Sequence, residues 1–224
     1  MINMKWISAI SMMCLCALAA GCGGGTGAGG TFGSAAETLA VEGWEAYRAA
    51  LEAADYDAAE KLFSDALRRD PAFSEGHNGL GWLNLQRAGQ ADESPQERDR
   101  LIDVARSNFQ RAVASNPDNA DAWAGLSGLE LSQNNWAAAR DSGKQVLALQ
   151  PRYFSNHDNV DFRDVHLILA QAYLNLGAFI ESSASLDPNN CLFHVDFVDP
   201  GYRGTFEVLG LKPADLILKI EELQ

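Results

Sequence analysis

The sequence predicts an all-α protein in which pairs of helices stack side by side, and three observations carry that expectation. A short phrase is spelled three times, as Ala59-x3-Phe63-x2-Ala66-x4-Pro71, Ala105-x3-Phe109-x2-Ala112-x4-Pro117 and Ala139-x3-Gly143-x2-Val146-x4-Pro151. Its first three members fall at i, i+4 and i+7 on one stripe of a helix, and the proline ends that helix or opens the next. The prolines stand 46 and then 34 residues apart, so the longer interval is the shorter one plus an insertion of twelve. Fixed periods of this size mark stacked repeats. Upstream of each phrase a second helical pattern completes the unit: His77-x2-Leu80-Gly81-x2-Asn84, Trp123-x2-Leu126-Ser127-x2-Glu130 and His166-x2-Leu169-Ala170-x2-Tyr173.

Taken together, these phrases resemble the tetratricopeptide repeat, written W-x2-L-G-x2-Y, then A-x3-F, then P. The resemblance covers roughly residues 40 to 186 and implies a right-handed α-solenoid of about four helix pairs, at 37–71, 72–117, 118–151 and 160–186. Gly143 departs from the pattern where an aromatic is expected, and the fourth unit lacks its proline.

Along the chain, Lys5 precedes an uncharged run from Trp6 to Gly21. That run is shorter than the ~20 residues of a spanning helix and reads as an export signal. It ends in Leu18-Ala19-Ala20-Gly21-Cys22, which resembles the bacterial lipobox. The resemblance implies that 1–21 is a signal peptide, cleaved before Cys22, and that this cysteine is acylated. Residues 23–34 hold seven glycines and no charge, the composition of a flexible tether reaching on the order of 20 Å. Gly23 stands where enteric bacteria place an aspartate to retain lipoproteins inside, so in a host that sorts as they do the same resemblance implies the outer membrane, facing the periplasm.

The folded part is expected from about residue 35. Trp44, Tyr47 and Leu51 give a first helix; a turn at Asp55-Tyr56 precedes a second, from about Asp57 to Arg69, burying Phe63, Ala66 and Leu67. His77 to Arg87 forms the next, and Ser94-Pro95-Gln96-Glu97 reads as a capping box opening a helix to about Ala114. The charged insertion Glu97 to Asp103 is either a solvated face or a partner contact. Asn134-Asn135 makes the turn of the third unit. Between Pro151 and His166 the chain exceeds the period by nine residues, and Asn156, Asp158 and Asn159 suggest a turn and helix cap. Phe162, Val165, Leu169, Ala172 and Leu176 then form a stripe, with a short helix to about Leu186. In 187–224, residues 192–198 and 205–208 read as the strands of a hairpin or as an extended segment packed on the last helix, and Pro213 opens a final helix carrying Leu216, Ile217, Ile220 and Leu223 on one side. Such a helix caps the apolar end of a stack.

Composition restricts the function. The formal charge is −13, or −14 without Lys5, with 17 basic residues among 30 acidic ones. Nucleic acid is thereby disfavoured, and an anionic lipid surface would repel the chain, so a membrane is reached through the lipid anchor alone. No metal is expected: His157, Asp158, Asp161, Asp164 and His166 lack the spacing of a calcium loop, and Cys191-x2-His194 has no paired half. No cofactor or catalytic motif is present either, and the chain reads as a non-enzyme.

What remains is a groove. If Leu80, Gly81 and Asn84 face the partner helix, Asn78, Trp82 and Gln86 turn to the inner surface, matched on the first unit by Trp44 and Arg48. Repeat stacks bind on that surface, and tryptophan with arginine is hot-spot composition. Core packing of Trp44 and Trp82 is the competing expectation. Clamps of this family that grip carboxylate tails use lysines here, where this chain has Trp44 and Ala124. The sequence thus points to a lipid-anchored, non-catalytic protein-interaction scaffold of the bacterial envelope with an envelope protein as partner. The alternative is a lipoprotein that binds a peptide or small ligand in the same groove.

Overall fold

Eight helices follow one another in the computed structural model, which describes residues 34–53, 55–91, 94–186, 217–218 and 220–222. They are α1 (Ala35–Ala53), α2 (Asp57–Arg69), α3 (Ser74–Gln90), α4 (Pro95–Ser115), α5 (Ala120–Ser132), α6 (Trp136–Leu149), α7 (Phe162–Asn175) and α8 (Phe179–Ser185). Each odd helix packs on the even one that follows it. Odd helices also touch one another in succession, α1 with α3, α3 with α5 and α5 with α7, whereas the substantial contacts of the even helices are all with odd ones. The odd row is therefore the closely spaced inner layer of the stack and the even row the splayed outer one. The architecture is an all-α solenoid.

Glycine and phenylalanine set the spacing of the layers. Phe63 of α2 is fully buried between Gly43 of α1 and Gly79 of α3; a Cβ on these glycines would stand 2.7 and 2.3 Å from its ring. Phe109 of α4 sits in the same way between Gly81 of α3 and Gly125 of α5, at 2.5 and 2.3 Å. The outer helix of one unit thus enters a socket shared by two inner helices, which only a residue without a side chain can form. In the third unit the direction reverses: Gly143 of α6 leaves the gap, and Leu169 of α7 fills it, 3.1 Å from where a Cβ would be.

Local chemistry fixes the boundaries. Ser34 and Glu37 exchange side-chain and backbone bonds at 2.5 and 3.2 Å, a capping box that starts α1. The expected box at Ser94 is not made. Ser94 accepts no capping bond, and the carboxylate of Glu97, which would return the reciprocal bond, is turned to Arg100 and held by two bonds of 2.8 and 2.6 Å. Asn134 takes the turn with φ +62°, a left-handed conformation that asparagine tolerates. The cap of α7 is Asp161 with Asp164, not the 156–159 stretch, and burial pushes the Asp164 carboxyl up to about 6. Leu176 ends outside its stripe, exposed one residue beyond α7.

Residues 217–218 and 220–222 are helical; Ile220 is buried, but Ile217 and Leu218 are exposed. The export signal, Cys22 and the glycines of the tether lie outside the described residues, as do Cys191, His194, the segment 192–208 and Pro213. Among the described residues no helix is long and apolar enough to cross a membrane.

Candidate functional site

The nine residues by which the chain exceeds its period build the most unusual feature of the molecule. After Pro151 the loop turns onto the inner layer, closed by a bridge between Phe154 and Asp161 and by bonds from the Ser155 amide to Val160 and from the Phe162 amide to Tyr153. The Ser155 hydroxyl accepts from the amides of His157 and Asp158 at 3.3 and 3.2 Å. These bonds present both side chains to α1, α3 and α5. His157 and Asp158 are both buried, and Asp158, read from the sequence as part of a turn and helix cap, does not cap the helix that follows.

The imidazole of His157 lies flat on Trp44, with centroids 3.9 Å apart and planes within 10°. Trp82 and Tyr47 meet it edge-on at 5.2 and 5.7 Å. Its nitrogens contact two carboxylates, Nε2 to Asp121 at 2.7 Å and Nδ1 to Asp158 at 2.8 Å. Carboxylates only accept, so both nitrogens donate and the ring is an imidazolium. Burial opposes that charge, but the bonds and charges of Asp121 and Asp158 outweigh it and push the ring up to about 9.

Asp121, in the first turn of α5, is the hub. It accepts from Asn78 at 2.8 Å, from Trp82 Nε1 at 2.9 Å, from His157 and from the Tyr153 hydroxyl. Burial would raise its carboxyl, yet the imidazolium and these donors hold it below the usual range. Asp158 accepts from Tyr47 at 3.0 Å and Gln86 at 3.1 Å. Burial first, and then the neighbouring carboxylate, lifts the hydroxyl of Tyr47 well above its ordinary value, and that of Tyr153 likewise. At the edge, Glu75 accepts from Trp44 Nε1 at 3.3 Å and Asn119 at 2.8 Å; burial, then Asp121, raises its carboxyl.

Of the residues singled out in the sequence, Trp44, Trp82 and Gln86 meet this loop and Asn78 meets Asp121 beside it, held there by α1 and by the face of α3 that carries positions 78, 82 and 86. Trp82 and Asn78 are buried and Trp44 is partly buried, so the inner surface expected to be open is filled here by the chain's own loop. Arg48 stands apart, exposed and without an ion pair among the described residues. The sequence reading missed Asp121, Glu75, Tyr153 and the part played by His157. The available signal was a loop longer than its period and rich in aromatics, since such residues seek burial.

Beside the loop remains a concavity of about 450 Å³, with Trp44, Arg48, Glu75, Asp118 and Asn119 in its lining and the largely exposed Val41 and Phe154 at its mouth. Among the described residues no three His, Cys, Asp or Glu side chains are placed to hold a metal ion. His166 lines a separate hollow near α8, where burial depresses its pKa. With both nitrogens engaged, His157 has none to offer a substrate.

Fold and site together define a solenoid of tetratricopeptide repeats with an inner surface partly filled by its own chain. Residues 46–100 and 96–154 match the family model described as tetratricopeptide repeat, so this stretch carries repeats of that kind. Among solved structures, a thermophilic TPR protein of Thermus thermophilus is similar in fold, with a TM-score of 0.55 and 19% identity over 83% of this chain and 82% of that one. A comparison with curated protein sequences finds no match. Repeats of this kind generally mediate protein–protein interaction.

Proposed function

We propose that the protein is a non-catalytic scaffold, held in the bacterial cell envelope by an acylated Cys22, that engages a protein partner at the mouth of the inner concavity. The observation that carries the reading is the juxtaposition there of two exposed apolar side chains, Val41 and Phe154, with Arg48 and the rim of Trp44 on a repeat stack. Exposed apolar groups beside polar ones mark contact surfaces, and an aromatic with an arginine supplies the anchors. The lipobox-like Leu18 to Cys22 and the glycine-rich stretch after it support an anchor on the outer membrane, facing the periplasm.

Crosslinking in native membranes followed by mass spectrometry tests the partner. A reproducible protein that is lost with Phe154→Ala and Arg48→Ala is expected; its retention by both variants overturns the surface. Fractionation tests the anchor, with Cys22→Ala expected to leave the membrane. The second reading, a peptide or small-ligand receptor, draws on the concavity itself, whose volume is in the range of ligand sites. It predicts ligand-dependent stabilisation and no crosslinked protein.

A further inference from the structure

The seat of His157 has a composition of its own. Trp44, Tyr47 and Trp82 wall it with aromatic rings, and Asp121 closes it with a carboxylate. Aromatic faces attract cations through their quadrupoles, and cages of this kind recognise cationic ligands. The cation present is supplied in cis, on a loop with both ends fixed, by α6 and α7. Were the loop to lift, His157 and Asp158 would depart together. The seat would retain Asp121, with Glu75 beside it and the rings exposed, and its need for a positive group would be unmet. Besides His157, Arg48 is the one basic residue in the lining of the concavity. The remaining charges there, Glu75, Asp118 and Asp121, are acidic.

We propose that this seat is a cation-recognition cage and that the loop bearing His157 is its tethered internal ligand, which a basic side chain on a partner protein segment competes to replace. The commitment to a basic segment comes from the retained carboxylates and from the net charge of −13 on the chain as a whole. The proposal deepens the scaffold reading, on which it rests for the partner, by giving it a chemistry and an intrinsic competitor. Competition lowers apparent affinity by the fraction of time the seat is open. Removing the competitor should restore the lost affinity.

The test uses the full chain, with N-acetylarginine amide as probe and N-acetylcitrulline amide as its uncharged isostere. Binding is read at pH 6 from the change in intrinsic tryptophan fluorescence, to which Trp44 and Trp82 of the cage contribute, and is checked by calorimetry. His157→Gly vacates the cage, and His157→Gln keeps a hydrogen-bonding side chain while removing the charge. Both variants should keep their helix content and bind the arginine probe saturably, about tenfold or more tighter than wild type, with citrulline far weaker. Free imidazole should fill the His157→Gly cage and raise its Tm. Equal binding by wild type and variants, equal binding of citrulline, or no saturable binding overturns the proposal. Loss of helix content in both variants overturns it too, because a replaceable ligand cannot be a requirement for folding. No partner enters this titration, so its failure leaves the scaffold reading at the Phe154 rim intact. Failed crosslinking with a working cage would instead remove the scaffold.

Discussion

The glycine sockets of the spine and the His157 cluster of the inner face bury side chains by opposite means. In the spine, Phe63 and Phe109 meet the bare backbone of two helices each, and stability comes from area and shape. On the inner face, two carboxylates and an imidazolium are enclosed by rings, and the ring nitrogens of His157 and Trp82 each find a carboxylate. The first arrangement repeats with the sequence period; the second occurs once, and depends on groups from three helices and a loop. A shape-based core loses stability in proportion to what is cut away, whereas a charge network loses it when one member leaves the others unpaired.

The largest expected effect is in the spine. Phe109→Ala should cost about 3–5 kcal/mol by urea unfolding, and Gly125→Ala about 1–3 kcal/mol, as its new Cβ strikes the Phe109 ring. If Gly125→Ala is neutral, the socket is looser than its geometry. In the cluster, Asp121→Ala strands the donors of Asn78, Trp82, Tyr153 and His157 and should cost about 3 kcal/mol. Replacing Asp121 and His157 together, as D121L with H157L, should cost less than the sum of the two single changes. Additivity would show that the two do not form a pair.

The inner face alone should respond to alkali. A pKa raised on folding adds stability that is complete below the unfolded value near 6.5 and lost as pH rises through about 9. The groups facing the ring are Asp121 from α5, Asp158 from the loop, Tyr47 from α1 and Glu75 from α3, with Arg48 and Tyr153 at the same concavity. The raised Glu75 carries the same sign, while Asp121, lowered, stays ionised throughout. Stability should therefore fall by up to roughly 3 kcal/mol between pH 6.5 and 9.5, an effect abolished in His157→Gln. A flat profile for wild type would mean that the imidazole is neutral. The smallest effect belongs to the surface: Glu97→Ala, which breaks the exposed pair with Arg100, should leave the urea midpoint unchanged within measurement error.

This contrast also explains what was legible in the sequence. The spine could be read because its rule is local and recurs: Ala59, Phe63 and Ala66 describe a helix end wherever they appear. Even the exception at Gly143 stood out, although its filling by Leu169 depends on the next unit's packing. Identical S-x-x-E strings at Ser34 and Ser94 show the limit of local rules. The first forms a box; at the second Arg100 competes for the glutamate. On the inner face the sequence pointed to Trp44, Asn78, Trp82 and Gln86, all on helices with a known period. Asp121 and His157 were illegible because their meaning arises only when a loop with no period crosses the stack.

That crossing changes what kind of object the repeat array is. A chain of units in contact only with neighbours behaves as a linear string, able to open from either end one unit at a time. The bond from Tyr47 to Asp158 joins residues 111 positions apart and turns the string into a closed circuit. The first unit cannot fray while the loop after the third holds it, so α1 and α5 should exchange their amide hydrogens in a single cooperative opening. Staggered exchange would show the circuit to be open. Such closure also slows assembly, because one long-range contact must be made last, and it gives the array a sense of completion that neighbour contacts alone never provide.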